Sequence, residues 1–193
     1  LESVHVASYQ AVSGAGRGGQ DELLAQLKAQ IEDGPNPPTQ TFPHPIAMNA
    51  IPQIGSFKEN GFCSEEIKIM RESKKILGTT EFRISAMTVR VPTWNSHSEA
   101  VWVRLKKPAH RQQILASLQR QSGLVIQDDA QNSVYPLARE FDGLDPVGVG
   151  RIHQDLEDPQ TWLFWVVADN LRKGAALNGL QIAERIFDIT PGP

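Results

Sequence analysis

The sequence predicts an α+β domain in which helices pack on one face of a mixed, largely antiparallel sheet. Segments with the alternating pattern of strands and segments with helical apolar spacing follow one another without a regular strand–helix–strand rhythm. The chain has 193 residues, 40% of them hydrophobic, which is enough for one well-buried core. We therefore expect a single domain over residues 1–193.

Residues 4–12 alternate and are rich in β-branched side chains, so they predict the first strand. A glycine-rich turn is expected at residues 13–19. Residues 21–32 have apolar residues at helical spacing, and Gly34 predicts the end of that helix. Its predicted apolar face comprises Leu23, Leu24, Leu27 and Ile31.

A proline-rich loop over residues 34–56 follows the first helix. Because so long a connection is unusual in a compact domain, it indicates a functional segment or one that embraces a partner. Ser64 is a favourable N-cap for a second, amphipathic helix. That helix is predicted from Glu65, Glu66, Ile67, Ile69, Met70, Ile76 and Leu77.

Strands and helices also make up the rest of the chain. Further strands are predicted at residues 82–91, 100–105, 125–127, 147–153 and 161–168. A helix at residues 111–121 is expected to turn Ile114, Leu115 and Leu118 inward. A closing helix at 171–187 is predicted from Ala175, Ala176, Leu180, Ile182, Ala183 and Ile186.

Composition excludes several classes of protein. A net charge of −3 and a pI near 6.0 argue against nucleic-acid binding and against a polybasic membrane-surface protein. No apolar run is long enough for a membrane span. A single cysteine excludes a disulfide framework and a cysteine zinc site, and it is consistent with a reducing cytosol. No metal site is expected, because close ligand spacing is absent among His5, His44, His110 and His153.

Arg90 and His97, seven residues apart, are the most informative pair in the chain. The proline-containing stretch between them cannot be a regular helix, so they flank a loop. Arginine offers a fork of donors suited to a carboxylate, and histidine titrates near neutral pH. The pair therefore predicts a substrate-carboxylate clamp beside a general acid/base, although no plausible nucleophile accompanies it.

The run from Gly14 to Gly19 fits the G-x-G-x-x-G dinucleotide motif, and Asp33 follows at about the expected distance. The proline-rich stretch after Gly34 cannot supply the second parallel strand that a dinucleotide fold needs. The motif is therefore interpreted as a flexible turn. An alternative is that the backbone of Ser13 and Gly14 approaches a ligand held elsewhere, since glycine permits close approach.

Five separated motifs carry a family resemblance. They are SYQAVSGAG, FPHPIAMNAIPQI, SEEIKIMRESKKIL, VRVPTWNSHSEA and WVVADNLRKGAALNGLQIAE. In this order and over essentially the whole chain, the set closely resembles the C-terminal half of aspartate-β-semialdehyde dehydrogenases. The resemblance implies a fold like the C-terminal domain of glyceraldehyde-3-phosphate dehydrogenase.

The resemblance implies NADP-dependent reductive dephosphorylation of L-aspartyl-4-phosphate to L-aspartate-4-semialdehyde through a cysteine thioester. In the family this reaction serves lysine, threonine, methionine and diaminopimelate biosynthesis in the cytoplasm, and the enzyme is a homodimer. An N-terminal domain binds most of the NADP and carries the nucleophilic cysteine. Helix 171–187 is therefore expected to pack on that domain, loop 34–56 to join the dimer contact, and the chain alone to be inactive.

The resemblance also assigns substrate contacts. Gln10 matches the glutamine that orients the substrate beside the cysteine, and Arg90 matches the arginine that clamps the substrate carboxylate. Glu65 matches the acid for the substrate amino group, with Glu66 as the alternative. Lys68, three residues after Glu65, matches the lysine that binds phosphate.

His97 matches the general acid/base, which deprotonates the cysteine and moves the proton of the thiohemiacetal. Ser13, Gly14 and Asn170 match residues that contact the nicotinamide cofactor. Cys63, the single cysteine, lacks the family's nucleophile motif and is expected at a surface-loop position.

Two alternatives remain open from the sequence. One is an enzyme resembling N-acetylglutamyl-phosphate reductases, in which an acid such as Glu65 would have no free substrate amine to bind. The other is a non-catalytic dimerisation module that keeps the scaffold without turnover.

Overall fold

The structure, a computed structural model, describes residues 1–35 and 37–189. Asn36, in the predicted loop 34–56, and residues 190–193, at the end of the predicted domain, lie outside the described residues. The strands are β1 (Ser3–Gln10), β2 (Arg83–Arg90), β3 (His97–Arg104), β4 (Leu124–Ile126), β5 (Val147–Gln154) and β6 (Thr161–Ala168). The α-helices are α1 (Gly16–Ile31), α2 (Ser64–Ile76), α3 (Arg111–Gln119), α4 (Ala138–Phe141) and α5 (Leu177–Ile186).

The six strands form one sheet in the order β2-β1-β3-β6-β5-β4. The two outer pairs, β1–β2 and β4–β5, are parallel. The three inner pairs, β1–β3, β3–β6 and β5–β6, are antiparallel. The prediction of a mixed, largely antiparallel sheet is confirmed, and all six predicted strands are present within a few residues of their expected positions.

One face of the sheet is covered by α2 and α3. Glu66 of α2 accepts a hydrogen bond from the backbone N–H of Thr88 in β2. Residues of α3 pack on a core of Val149, Ile152 and Trp162. The strand register shows that α2 and α3 lie on the same side. One row of paired residues crosses the sheet from β2 to β5, so their side chains share one face: Thr88, Ser8, Glu99, Val166 and Val149. The two helices α2 and α3 therefore lie on one face, as expected, whereas Phe141 of the short helix α4 lies against Gly148 on the other face.

A second core joins α1 to the proline-rich loop. It contains Val12, Leu23, Phe42, Ile46, Ala47 and Ile51. The predicted apolar face of this helix is only half right, because Leu24 and Ile31 are exposed. Two polar residues are buried instead, since their side chains bind the loop backbone. Gln26 accepts from the N–H groups of Ile46 and Ala47, and Glu22 accepts from those of Gln40 and Thr41.

The glycine-rich segment is helical, so the predicted turn at residues 13–19 is wrong. Val12–Ala15 forms a 3₁₀ turn, and α1 begins at Gly16 instead of residue 21. A Cβ on Gly19 would lie 2.6 Å from the carbonyl oxygen of Val12 and 2.9 Å from the Phe42 ring. Glycine is therefore needed at position 19 for close helix packing.

The start of α2 also differs from the prediction. Cys63, not Ser64, is the N-cap, and its backbone N–H donates to the Glu66 carboxylate at 2.8 Å. Cys63 is fully buried, with its Sγ 3.1 Å from Oγ1 of Thr88, so the expected surface-loop position is wrong. The sheet and the helix enclose this thiol from both sides.

The closing segment is less regular than predicted. A π-helical turn at Arg172–Ala176 precedes α5, and no residue of either element is buried. Leu180, Ile182, Ile186 and Phe187 are each more than half exposed. These apolar side chains therefore lack a core contact within the described chain. Among the described helices, none is both long and apolar enough to cross a membrane.

Candidate active site

The ends of three neighbouring strands bring Gln10, Arg90 and His97 together. Gln10 and Arg90 are the last residues of β1 and β2, and they pair directly in the parallel register. His97 is the first residue of β3, so this strand begins three residues before its predicted start at residue 100. A buried strand end holds a side chain more firmly than a loop does, which suits a residue that must keep one orientation.

Gly14 lies directly against the Arg90–His97 pair. A Cβ at position 14 would be 2.8 Å from Nη1 of Arg90 and 3.3 Å from Nε2 of His97. The backbone after β1 therefore approaches both side chains as closely as only glycine permits. The Ser13–Gly14 segment, which was expected to contact the cofactor, therefore lies against the expected carboxylate clamp and the expected general acid/base.

His97 is held in one orientation by the backbone of Ala11, whose N–H donates to Nδ1 at 3.2 Å. The neutral ring consequently carries its proton on Nε2, the ring nitrogen that lies toward Gly14. Burial, followed by the positive charge of Arg90, lowers the pKa of His97 to about 4; Lys68 also lowers it, and Asp169 opposes the shift. His97 is therefore neutral at pH 7 and presents an N–H donor to the site.

Arg90 is 6% exposed, and its Nη1 donates to the carbonyl oxygen of Ala11 at 2.6 Å. The guanidinium carbon lies 5.8 Å from the centroid of the Phe42 ring. Burial lowers the pKa of Arg90, and the negative charge of Glu65 opposes that shift. Because a guanidinium has five donors, the bond to Ala11 leaves others for a carboxylate ligand.

Glu65 and Lys68, near the start of α2, are close enough to this centre to act on the charges of Arg90 and His97, respectively. Their side chains are 3.3 Å apart at the closest nitrogen and oxygen, and Lys68 remains 55% exposed. Glu66 points elsewhere: its two carboxylate oxygens accept the backbone N–H groups of Cys63 and Thr88. Of the two candidate acids, only Glu65 is directed toward the charges of the site.

A cavity of about 870 Å³ lies along α2 next to Lys68. Its lining includes three cationic side chains, Lys58, Lys68 and Arg71. The positive charge and the exposure of Lys68 suit an anionic ligand such as phosphate.

Ser13 and Asn170, the other expected cofactor contacts, are hydrogen-bonded to each other. Asn170 Nδ2 donates to Ser13 Oγ at 3.1 Å, and Ser13 Oγ donates to Asn95 Oδ1 at 2.8 Å. The backbone N–H of Ser96 donates to Asn170 Oδ1 at 3.1 Å. Eight residues predicted from the sequence thus gather around one end of the sheet, namely Gln10, Ser13, Gly14, Glu65, Lys68, Arg90, His97 and Asn170.

Sequence reasoning missed the residues that hold these side chains in place. Gln10 Nε2 donates to Ser8 Oγ at 3.3 Å, and Ser8 Oγ donates to the Glu99 carboxylate at 3.4 Å. Burial raises the pKa of Glu99, and the bond from Ser8 opposes that shift. The available signal was the period of two: Ser8 precedes Gln10, and Glu99 follows His97, by two strand positions.

Within residues 1–35 and 37–189, no group of three or more His, Cys, Asp or Glu side chains could hold a metal ion.

The fold and the site define an α+β domain with a mixed sheet, in which a buried arginine and a partly buried histidine lie at the ends of the two strands that flank β1. The chain belongs to the family described as semialdehyde dehydrogenase, dimerisation domain, which matches residues 1–173. It is 41% identical over 184 residues to the aspartate-semialdehyde dehydrogenase of Aquifex aeolicus and 40% identical over 185 residues to that of Legionella pneumophila. These matches cover 95% of this chain, but 54% and 53% of the two relatives.

Solved structures agree with the sequence comparison. The aspartate semialdehyde dehydrogenase II of Vibrio cholerae, solved in complex with ASA, superimposes with a TM-score of 0.93 at 38% identity. The match covers 99% of this chain and 56% of that one. The enzyme of Candida albicans, solved with NADP, shares the fold at a TM-score of 0.65, 21% identity and coverage of 95% and 49%. The expected family resemblance is confirmed, and the chain spans about half the length of the relatives it matches.

Proposed function

We propose that this chain supplies the substrate-binding and proton-transfer half of an NADP-dependent aspartate-semialdehyde dehydrogenase. The observation that carries the proposal is the convergence of Gln10, Arg90 and His97 beneath Gly14. The names of the relatives support the aspartate substrate class. The enzyme reduces L-aspartyl-4-phosphate to L-aspartate-4-semialdehyde on the shared cytoplasmic route to lysine, threonine, methionine and diaminopimelate.

Each charged group of the substrate has a complementary partner. Arg90 binds the α-carboxylate through its fork of donors, and Glu65 accepts the α-ammonium group. Lys68 binds the phosphate that leaves when a cysteine thiolate forms the acyl-thioester. Gln10, oriented by Ser8, positions the reacting carbonyl beside the thiol.

His97 carries the proton steps. In the tautomer that accepts the Ala11 N–H at Nδ1, neutral His97 carries its proton on Nε2 and can only donate there. To accept a proton at Nε2, His97 must shift to the tautomer protonated on Nδ1, and the hydrogen bond from Ala11 is then lost. The cysteine thiol loses its proton to that tautomer, and the resulting imidazolium protonates the oxygen formed on hydride addition to the thioester. A thiolate nearby would raise the pKa of His97 by stabilising the imidazolium.

NADP supplies the hydride when bound. Gly14 suits the nicotinamide end because it is exposed to solvent and its backbone lies close to Arg90 and His97. Any side chain at this position would collide with Arg90. Ser13 and Asn170 offer hydroxyl and amide groups next to that position. Most of the cofactor is bound by a separate nucleotide-binding domain.

The nucleophile is a cysteine outside these residues. Cys63 is the single cysteine of the sequence, and its buried thiol contacts the Thr88 hydroxyl at 3.1 Å. The chain by itself is therefore expected to be inactive. The apolar side chains of α5, including Leu180 and Ile186, pack on the nucleotide-binding domain.

The sheet face opposite α2 and α3 forms the homodimer contact. Tyr9 and Met87 on this face are 37% and 61% exposed, and a cavity of about 390 Å³ beside them is lined by Trp102, Leu163 and Trp165. The family description as a dimerisation domain supports this contact. In the proline-rich loop, Phe42 and Ile46 are buried in the core that the loop forms with α1, so they are not available to a partner. Met48 of the same loop is exposed and extends the homodimer contact.

The test is phosphate-dependent formation of NADPH from aspartate semialdehyde by the full-length protein. Glu65→Gln is expected to lower kcat/KM by about tenfold to a hundredfold, the loss typical of one charged hydrogen bond. Glu32→Gln, at an exposed acid that does not line the cavity beside Lys68, serves as the control. Unchanged kinetics for Glu65→Gln, or preference for N-acetylglutamate semialdehyde, would favour the N-acetylglutamyl-phosphate reductase type. Absence of turnover with both aldehydes would favour the dimerisation module.

A further inference from the structure

A buried amide–carboxylate pair, Asn95 and Asp169, lies behind the proposed site. Asp169 is 2% exposed and Asn95 is 6% exposed. Asn95 Nδ2 donates to Asp169 Oδ2 at 3.0 Å. Neither residue was predicted to have a role, and a carboxylate at this depth is costly unless donors surround it.

Asp169 has those donors. Its Oδ2 also accepts the backbone N–H of Gly143 at 2.8 Å, and its Oδ1 accepts those of Leu171 and Arg172 at 2.8 and 3.2 Å. A carboxylate that accepts several backbone N–H groups is stabilised in its charged form. These bonds tie the end of β6 to the segment before β5.

The pair also reaches the turn that leads into His97. Asn95 is the second residue before His97, and its Oδ1 accepts the hydroxyl of Ser13 at 2.8 Å. Asn170, next to Asp169, accepts the N–H of Ser96 at 3.1 Å. Both residues that precede His97 are thus held from the end of β6.

Ser96 needs that support. It has a φ of 68°, in the left-handed region, and it is 1% exposed. Its hydroxyl is without a hydrogen-bond partner among the described residues. A buried non-glycine residue in this region persists only where its surroundings hold it, and such positions cluster at functional sites.

We propose that Asp169 is a positioning residue that holds the turn 95–97, and with it the imidazole of His97, in the orientation facing Gly14. The inference rests on the proposed acid/base role of His97. The charges around the imidazole agree with it: Arg90 and Lys68 lower the pKa of His97, Asp169 raises it, and Glu65 acts on Arg90. Asp142 reaches the same turn through Asn95 Nδ2, at 2.7 Å.

The test uses the full-length protein with Asp169→Asn, and Asp142→Asn as the matched control. Both changes remove one carboxylate that accepts Asn95 Nδ2, but Asp142 is exposed. Asp169→Asn is expected to lower the pKa of His97, followed by NMR and assigned with His97→Asn. It should also reduce kcat by about tenfold to a hundredfold with little change in KM, because a small misplacement of a catalytic group has such an effect. Asp142→Asn is expected to do less in both measurements.

Asn95→Ala covers the case in which Asp169→Asn does not fold. It keeps the charge of Asp169 and the three backbone bonds to it, and removes the link to the turn. We expect kcat to fall while the pKa of His97 changes less than in Asp169→Asn. Wild-type kcat and wild-type His97 titration in Asn95→Ala, or in Asp169→Asn, would overturn the proposal. Since the NMR titration needs no turnover, an inactive wild-type protein would count against the proposed function alone.

Discussion

The strand ends and the closing helix use their residues in opposite ways. Around Arg90 and His97, polar and charged side chains are buried and have partners within the chain. In α5, apolar side chains such as Leu180 and Ile186 are exposed. Burying a charge without partners and exposing apolar surface are both unfavourable. The polar groups at the strand ends have their partners within the chain, whereas the apolar side chains of α5 are not covered by any of the described residues.

The largest effect is expected at His97, if the strand ends really form a preformed site. In the full-length protein, His97→Asn should reduce kcat about 10²- to 10⁴-fold, the usual contribution of a general acid/base, with the fold retained. Steady-state kinetics and circular dichroism measure the two quantities. His153→Asn, an exposed histidine, is the control, and equal activity of both variants would contradict the role of His97.

A substitution at Arg90 tests whether the carboxylate is bound by the paired guanidinium donors or by charge alone. Arg90→Lys keeps the charge but loses the planar pair of donors, so kcat/KM should fall about tenfold to a hundredfold. Arg83→Lys, in the same strand but 78% exposed at its side chain, should change it little. If lysine served as well as arginine at position 90, the carboxylate would be bound by charge alone.

The titration of His97 connects the site to stability. Because its pKa is lowered from 6.5 to about 4, the unfolded chain binds more protons than the folded chain between these pH values. The free energy of unfolding should therefore fall as the pH drops from about 6.5 to about 4. Urea unfolding of wild type and His97→Asn at pH 7 and pH 5 measures this difference. If the free energy of unfolding changed equally between pH 7 and pH 5 in both proteins, His97 would not be the responsible group.

The smallest effect is expected in α5 of the isolated chain. Leu180→Ser should change the free energy of unfolding by no more than about 0.5 kcal/mol, because the side chain is 57% exposed. Leu23→Ala, at a position 2% exposed, should cost about 2–5 kcal/mol by comparison. In the full-length protein Leu180→Ser should cost clearly more than in the isolated chain. Equal costs in the two forms would mean that α5 does not pack on another domain.

Local patterns were sufficient for much of the fold. The six strands alternate or are rich in branched and aromatic residues, and the structure has them near the predicted positions. The predicted helix at residues 21–32 was too short because glycine lowers helix propensity locally. Packing of Gly19 against Phe42 overrides that preference, and the propensity of a single residue does not contain such a contact.

The candidate site divides in the same way. Arg90 and His97 could be found from their chemistry and spacing, and the other six from motifs. Asn95, Ser96 and Asp169 could not be found from the sequence, because their hydrogen-bond partners lie 74 to 82 residues away in the chain. Asn95 pairs with Ser13 and Asp169, and Ser96 pairs with Asn170. The choice between Glu65 and Glu66 stayed open, and Cys63 was wrongly expected on the surface, for a related reason: only the neighbouring strand decides that Glu66 and Cys63 face Thr88.

The sequence by itself determined the class of fold, the residue types of the site and the family, because these depend on periodicity and on side-chain chemistry. Tertiary structure alone decided which side chains meet. Strand register sets Gln10 beside Arg90, and the close approach of Gly14 sets the backbone against His97. Burial then lowers the pKa of His97, since desolvation depends on neighbours that are distant in the chain.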